Sequence, residues 1–157
     1  MKEKYEIDSL DKQILGKLLT DARTPYLEIA RSLIVSGGTI HQRIEKMKEH
    51  GIIEGSTLKM NLQKLGYDVV VFLGVHLNST KDIDIVIKKL KKFKEVSEAY
   101  YTTGNYALLI KVNTKTINDF HSFLSKKLQT LEQVRSTESF ISLDQPIKKD
   151  DLALIDE

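Results

Sequence analysis

"EAYYTTGNYALLIKV", residues 98–112, decides the architecture of most of this 157-residue chain. Tyr100 and Tyr101 lead into Thr102, Thr103, Gly104 and Asn105, and Tyr106 then opens an apolar alternation. Aromatic and β-branched residues on both sides of a glycine-bearing turn predict a β-hairpin, with strands over 96–103 and 105–113. The turn itself is more polar and more open than chain reversal requires. That makes it a candidate binding element as well as a structural one.

Upstream, "YDVVVFLGVHL" (residues 67–77) places Val69, Val71, Leu73, Val75 and Leu77 on one face and Val70, Phe72 and Gly74 on the other. A strand apolar on both faces is covered on both sides. Ile83, Val86, Ile87, Leu90 and Phe93 then recur at helical spacing, with the lysine run 88–94 on the outer face. Such a run reads first as a solvated helix face, and second as a sequence-independent DNA contact. Downstream, Ile117, Phe120, Leu124, Leu128 and Leu131 predict a second helix, "VRSTESFISL" a last strand, and a charged tail follows Pro146. The order strand-helix-strand-strand-helix-strand is the ferredoxin-like βαββαβ plan. Both helices then lie on one face of the sheet. The other face is apolar with nothing left to cover it, which predicts a second copy there and at least a dimer.

The first third is helical, so the chain is α+β. Asp8 or Ser9 caps a stripe of Leu10, Ile14, Leu15, Leu18 and Leu19. Thr24 before Pro25 opens a helix carrying Tyr26, Ile29, Ala30 and Leu33. Ser36 caps a third, whose buried stripe is Ile40, Ile44 and Met47 and which Gly51 stops. Only Ile34 to Ser36 separate the second helix from the third, a crossing of the helix-turn-helix type. The third helix turns Gly38, His41, Gln42, Glu45 and Lys46 away from its buried stripe, with Arg43 at the flank. His41 and Gln42 suit base edges, Arg43 and Lys46 suit phosphates, and Gly37 and Gly38 permit close backbone approach. Ser36 and Thr39 complete the candidate DNA-contact set. The tight turn favours φ > 0, yet Ile34 stands there, at a cost of roughly 1–2 kcal/mol unless the turn is rearranged. "IIEGSTLKMN" (residues 52–61) suggests a short strand or wing. The division is residues 1–60, a linker 61–66, and residues 67–157.

Composition narrows the function classes. The chain is 41% apolar and 29% charged, without cysteine, so disulfide frameworks and thiolate chemistry are excluded. The N-terminus lacks a signal-peptide pattern and no apolar run approaches the ~20 residues of a membrane span. A soluble cytoplasmic protein is expected. The net charge of +2 is too small to argue for nucleic acid, so DNA binding rests on the motif. No residues show metal-ligand spacing or a nucleophile–base–acid set, so neither an enzyme, a metal nor a cofactor is expected.

Several separate segments carry a resemblance: "DARTPYLEIA", "GTIHQRIEKMKEHGII", "LGYDV", "EAYYTTGNY" and "STES". Together they resemble the Lrp/AsnC family of bacterial and archaeal transcription regulators, closest to its asparagine-responsive members. Ile34 and Gly37 depart from the family's usual glycine and proline at the helix turn. The resemblance implies a winged or plain helix-turn-helix binding pseudo-palindromic double-stranded DNA as a homodimer that assembles to tetramers or octamers. It implies a C-terminal RAM domain (regulation of amino acid metabolism) that binds a free amino acid, here L-asparagine, between dimers. Carried over by position, the ligand contacts are Tyr101, Thr102, Thr103, Gly104, Asn105 and Tyr106 in the turn, His121 and Ser125 on the second helix, and Thr137, Glu138 and Ser139 on the last strand. Backbone N–H groups and threonine hydroxyls suit an α-carboxylate, and Glu138 suits an α-ammonium. The rival readings are an architectural DNA-binding protein without ligand control and the same regulator sensing another amino acid.

Overall fold

The computed structural model describes residues 5–147, which form two units, 5–59 and 60–145. The tail beyond residue 147 lies outside the described residues.

In the first unit, α1 (Ser9–Thr20), α2 (Tyr26–Leu33) and α3 (Gly37–Glu49) follow the expected order. Asp8, not Ser9, caps α1: its carboxylate accepts the Asp11 N–H at 2.9 Å, while that of Asp11 accepts the Asp8 N–H at 3.2 Å. Thr24 does not cap α2; its hydroxyl donates back to the Asp21 carbonyl at 2.8 Å, and Pro25 holds the cap position. Ser36 Oγ accepts the Thr39 N–H at 3.0 Å and caps α3 as expected. Ile14, Ile29, Ala30, Ile40, Ile44 and Met47 close the core, whereas Leu19 is exposed. Ile34 ends α2 in the left-handed region (φ 56°, ψ 44°) and is 93% exposed. The turn therefore keeps its ordinary geometry and bears the strain of a β-branched residue, with little packing among the described residues to offset it.

Residues 52–61 form no strand. The N–H groups of Ile52 and Ile53 both bond to the Met47 carbonyl (2.8 and 3.2 Å), and their side chains pack on the helical core. A segment folded back on its own helix has no second strand to form a ladder with, so the expected wing is absent.

The second unit runs β1 (Val69–Leu77), α4 (Ile83–Leu90), β2 (Val96–Tyr101), β3 (Leu108–Thr114), α5 (Ile117–Phe123) and β4 (Val134–Ile141). Its antiparallel sheet has the order β2-β3-β1-β4, the ferredoxin-like arrangement. Val71, Leu73 and Val75 of β1 and Leu108, Ile110 and Val112 of β3 bury against Val86 and Leu90 of α4 and Phe120 and Phe123 of α5. Each such side chain contributes about 1.5–3 kcal/mol. Phe93 meets Phe123 edge-on at 5.8 Å. Two expectations shift. The hairpin strands stop short, leaving a six-residue loop, 102–107. The second helix is α-helical only to Phe123; Leu124–Leu128 form a π-turn in which the Gln129 N–H bonds to the Leu124 carbonyl at 2.9 Å.

The face away from the helices is mixed instead of purely apolar. Phe72 (39% exposed), Tyr100 (55%) and Phe140 (46%) share it with a Lys111–Glu98 ion pair at 2.9 Å. No described element of the chain covers it.

Candidate functional site

Of the α3 residues expected to face outward, Gly38, His41, Gln42 and Lys46 are exposed and Glu45 is half-buried; Lys48 and Glu49 in the last turn are exposed as well. Gly37 faces α2: a Cβ there would stand 2.8 Å from Leu27 Cδ2, so the glycine lets the two helices approach. A Cβ at Gly38 would meet only Ser36 Oγ, at 3.7 Å. Thr39 holds its hydroxyl 2.8 Å from that of Ser36, and His41 packs its ring 6.0 Å from Tyr26. Glu45 adds an acid beside this surface, and its pKa is lowered by the Lys48 ammonium 2.9 Å away. Gln42 and Lys46, one turn apart, are exposed hydrogen-bonding and cationic groups of this helix, whereas the exposed Lys48 is paired with Glu45.

Arg43 departs from the expected set. Its guanidinium pairs with the Asp8 carboxylate and lies 3.2 Å from Asp11 Oδ2, which also accepts the Tyr5 hydroxyl at 2.9 Å. Asp11 is completely buried. Arg43 therefore clamps α3 to the start of α1, and Asp8 and Asp11 compete with any phosphate for its charge. The capping signal at Asp8 was legible; that it also supplies the partner of a residue 35 positions away was not.

In the second unit the expected effector residues divide. The Thr102 hydroxyl donates to the Tyr106 carbonyl at 2.6 Å and its N–H to the Ala107 carbonyl at 3.2 Å, so Thr102 closes the loop. Thr103, Gly104 and Asn105 are exposed, and neither the Thr103 nor the Asn105 side chain has a hydrogen bond among the described residues. Tyr106 lies on the helix-free face, where its hydroxyl donates to a Glu138 carboxylate oxygen. That bond raises the Tyr106 pKa. His76 meets the same ring edge-on at 5.1 Å.

Strand alternation places Glu138, opposite Gly74, on this open face. Thr137 and Ser139 stand opposite Val75 and Leu73 and belong to the helix side. Thr137 Oγ1 accepts from Gln129 Nε2 at 3.2 Å, a partner the π-turn brings into reach. His121 is exposed, and the Ser125 hydroxyl donates to the His121 carbonyl at 2.8 Å. Thus the loop with Glu138, and Thr137 with Ser139, sit on opposite faces of the sheet. An open cavity of about 280 Å³ lies between α4 and edge strand β2, lined by Ile87, Leu90, Lys91, Val96, Ala99 and Tyr101 among others. Of the expected ligand residues, Tyr101 alone lines it. Sequence reasoning passed over Gly74, Gln129 and the Asp8–Asp11 pair; a lone glycine within an apolar strand was the available signal for the first.

No group of three or more His, Cys, Asp or Glu side chains among the described residues is placed to hold a metal. No described helix is long and apolar enough to cross a membrane.

Comparison with known proteins agrees with this two-unit plan. Residues 7–48 match the AsnC-type helix-turn-helix domain and residues 70–152 the Lrp/AsnC ligand binding domain. The chain belongs to the Lrp/AsnC family. It is 53% identical to the regulatory protein AsnC of Haemophilus influenzae over 93% of this chain and 97% of that one. To the regulatory protein AsnC of Escherichia coli K12 it is 46% identical, over 94% and 97%. The solved structure of E. coli AsnC superposes with a TM-score of 0.89 at 45% identity, covering 93% of this chain and 98% of that one. As a Lrp/AsnC member the chain is a DNA-binding, amino-acid-responsive transcription regulator and not an enzyme. Its Gln42 and Lys46 stand within the matched helix-turn-helix segment, and its 102–107 loop within the matched ligand binding domain.

Proposed function

We propose that this regulator senses L-asparagine and adjusts genes of asparagine synthesis, with residues 1–60 reading DNA and 67–157 binding effector and partner copies. One observation carries the sensing role. Thr103 and Asn105 present side chains without hydrogen-bond partners among the described residues, on either side of a glycine that neither the loop's conformation nor its packing needs. A Cβ at Gly104 would meet nothing within 4 Å, and its φ lies outside the left-handed region. A glycine demanded by neither conformation nor packing is suited to close approach by something outside the chain. The split of the expected contacts between two sheet faces supports a pocket completed by a second copy, so effector binding and assembly are one equilibrium. The half-exposed Phe72, Tyr100 and Phe140 support pairing of the open faces in a dimer, which then forms tetramers or octamers. The regulator acts where its duplex DNA lies, in the cytoplasm.

Differential scanning fluorimetry against the twenty amino acids tests the effector. A ligand at a hundred times its Kd stabilises by about 2.7 kcal/mol. A melting shift confined to asparagine supports the reading. A shift with another amino acid reassigns the effector, and none at all favours an architectural protein.

A further inference from the structure

We propose that the lysine-rich segment running from the end of α4 through the turn that follows it, Lys88 to Lys94, is a second, sequence-independent contact for the phosphate backbone of duplex DNA. The inference rests on the DNA-binding reading above and starts from where the chain keeps its charge. Residues 1–60 hold ten Lys and Arg against nine Asp and Glu, so the DNA-reading unit is almost neutral. One of its cations, Arg43, is engaged by Asp8 and Asp11. Duplex DNA is a dense line of phosphates, and affinity for it rests largely on cations that displace condensed counterions. A reading helix whose cations are Lys46, the Glu45-paired Lys48 and the clamped Arg43 leaves much of that demand to other surfaces.

Residues 81–94 carry six lysines and two aspartates, more positive charge than the net +2 of the whole chain. Lys88, Lys91, Lys92 and Lys94 are exposed and form no ion pair among the described residues. The neighbouring acids are committed elsewhere: Glu95 to Lys127 at 2.8 Å and Glu98 to Lys111 at 2.9 Å. Lys89 is turned to Gln133 Oε1 at 3.0 Å, and Lys94 interacts at longer range with Glu95. Asp82 and Asp84 stand at the opposite, N-terminal end of the helix.

Helix polarity accounts for acids at the start and one or two lysines in the last turn. It does not account for five lysines between 88 and 94, three of which, Lys91, Lys92 and Lys94, lie beyond the helix in the turn before β2, so that like charges crowd one short segment and repel. An external polyanion relieves that repulsion. Lysine, a flexible point charge without the planar fork of arginine, suits phosphates and not base edges. The surface therefore adds affinity without sequence preference.

The test uses the full-length protein with Lys88→Gln, Lys91→Gln, Lys92→Gln and Lys94→Gln combined. Binding to a random duplex and to a duplex selected in vitro for tight binding is followed by fluorescence anisotropy over a salt series. Each lost phosphate contact lowers the slope of log K against log salt by about 0.9, so the combined variant loses up to about 3.6. The expected result is a similar loss on both duplexes, an unchanged ratio between them, and recovery in the matching lysine-to-arginine variant. A wild-type slope in the glutamine variant overturns the proposal, as does a loss confined to the selected duplex. Failure of the wild-type protein to bind any duplex sinks the DNA-binding reading as well, so the two failures are distinct.

Discussion

The ring of Tyr106 lies across the backbone of Gly74, so close that a Cβ on the glycine would stand 2.4 Å from Tyr106 Cδ1 and 2.6 Å from Cγ. The contact sets the ring beside His76 and Phe140 and aims its hydroxyl at Glu138. Gly74→Ala pushes against a whole ring and not the end of a flexible chain. We expect a cost of about 1–3 kcal/mol in urea unfolding. Tyr106→Ala in the same background should recover much of it, since the two changes share one contact. A Gly74→Ala cost below about 0.5 kcal/mol would show that the ring swings aside freely.

Ile34 stores strain without return. Its φ of 56° is costly for a β-branched residue, and the residue is 93% exposed. Ile34→Gly removes a strain of about 1–2 kcal/mol and adds roughly 0.5–1 kcal/mol of chain entropy to the unfolded state. The helical unit should gain about 0.5–1 kcal/mol, with Ile34→Asn also stabilising. Thermal unfolding checks this; a fall in melting temperature for both variants contradicts the strain.

Arg43 and Lys46 occupy neighbouring stretches of α3 yet should fail differently. Arg43→Ala strips the buried Asp11 of its cation while leaving the Tyr5 hydroxyl and the Asp8 N–H as donors. Destabilisation of about 2 kcal/mol is expected, with weaker DNA binding only as a consequence of unfolding. Lys46→Ala should leave the melting temperature alone and weaken random and selected duplexes equally, whereas Gln42→Ala should narrow the ratio between them. If Arg43→Ala keeps its stability but loses DNA, the clamp is secondary and phosphate contact is the main role.

How far the residues themselves announced this arrangement differs between local and distant features. The capped helices and βαββαβ order were legible because apolar spacing and caps are local properties. The wing at 52–61 was not, because its alternation says nothing about whether a second strand exists to pair with. Register decided the candidate site: Thr137, Glu138 and Ser139 are consecutive letters, but a strand sends them to alternate faces. For Arg43 a helical wheel shows its direction and not the carboxylates that meet it from α1.

Acid should loosen the helical unit through Asp8. The Asp11 N–H, then the Arg43 guanidinium, hold its carboxyl below the ordinary value of 3.8. A depressed folded pKa means the stabilisation is complete above the unfolded value and disappears as pH falls through the folded one. Because the Asp8 side chain is 48% exposed, solvent screening keeps the effect small. The stability difference between wild type and Asp8→Asn, followed by urea unfolding from neutral pH downward, should be constant and then close below the ordinary aspartate pKa. A difference that grows on acidification contradicts the sign.

Gly104 offers the sharpest separation of folding from sensing. Its Cβ position is empty, its φ is open to other residues, and no neighbour within 4 Å resists a side chain. Gly104→Val should therefore change unfolding free energy by no more than about 0.5 kcal/mol. Yet a branched side chain there blocks close approach to the loop by an effector or a second copy, so the thermal shift with the effector should vanish. Basal DNA binding should survive, because Gln42 and Lys46 lie in the other unit. A Val variant that keeps the full shift rules out the loop as the pocket. Attention then moves to the cavity beside Tyr101, where Leu90→Ala offers the corresponding test of a site under α4.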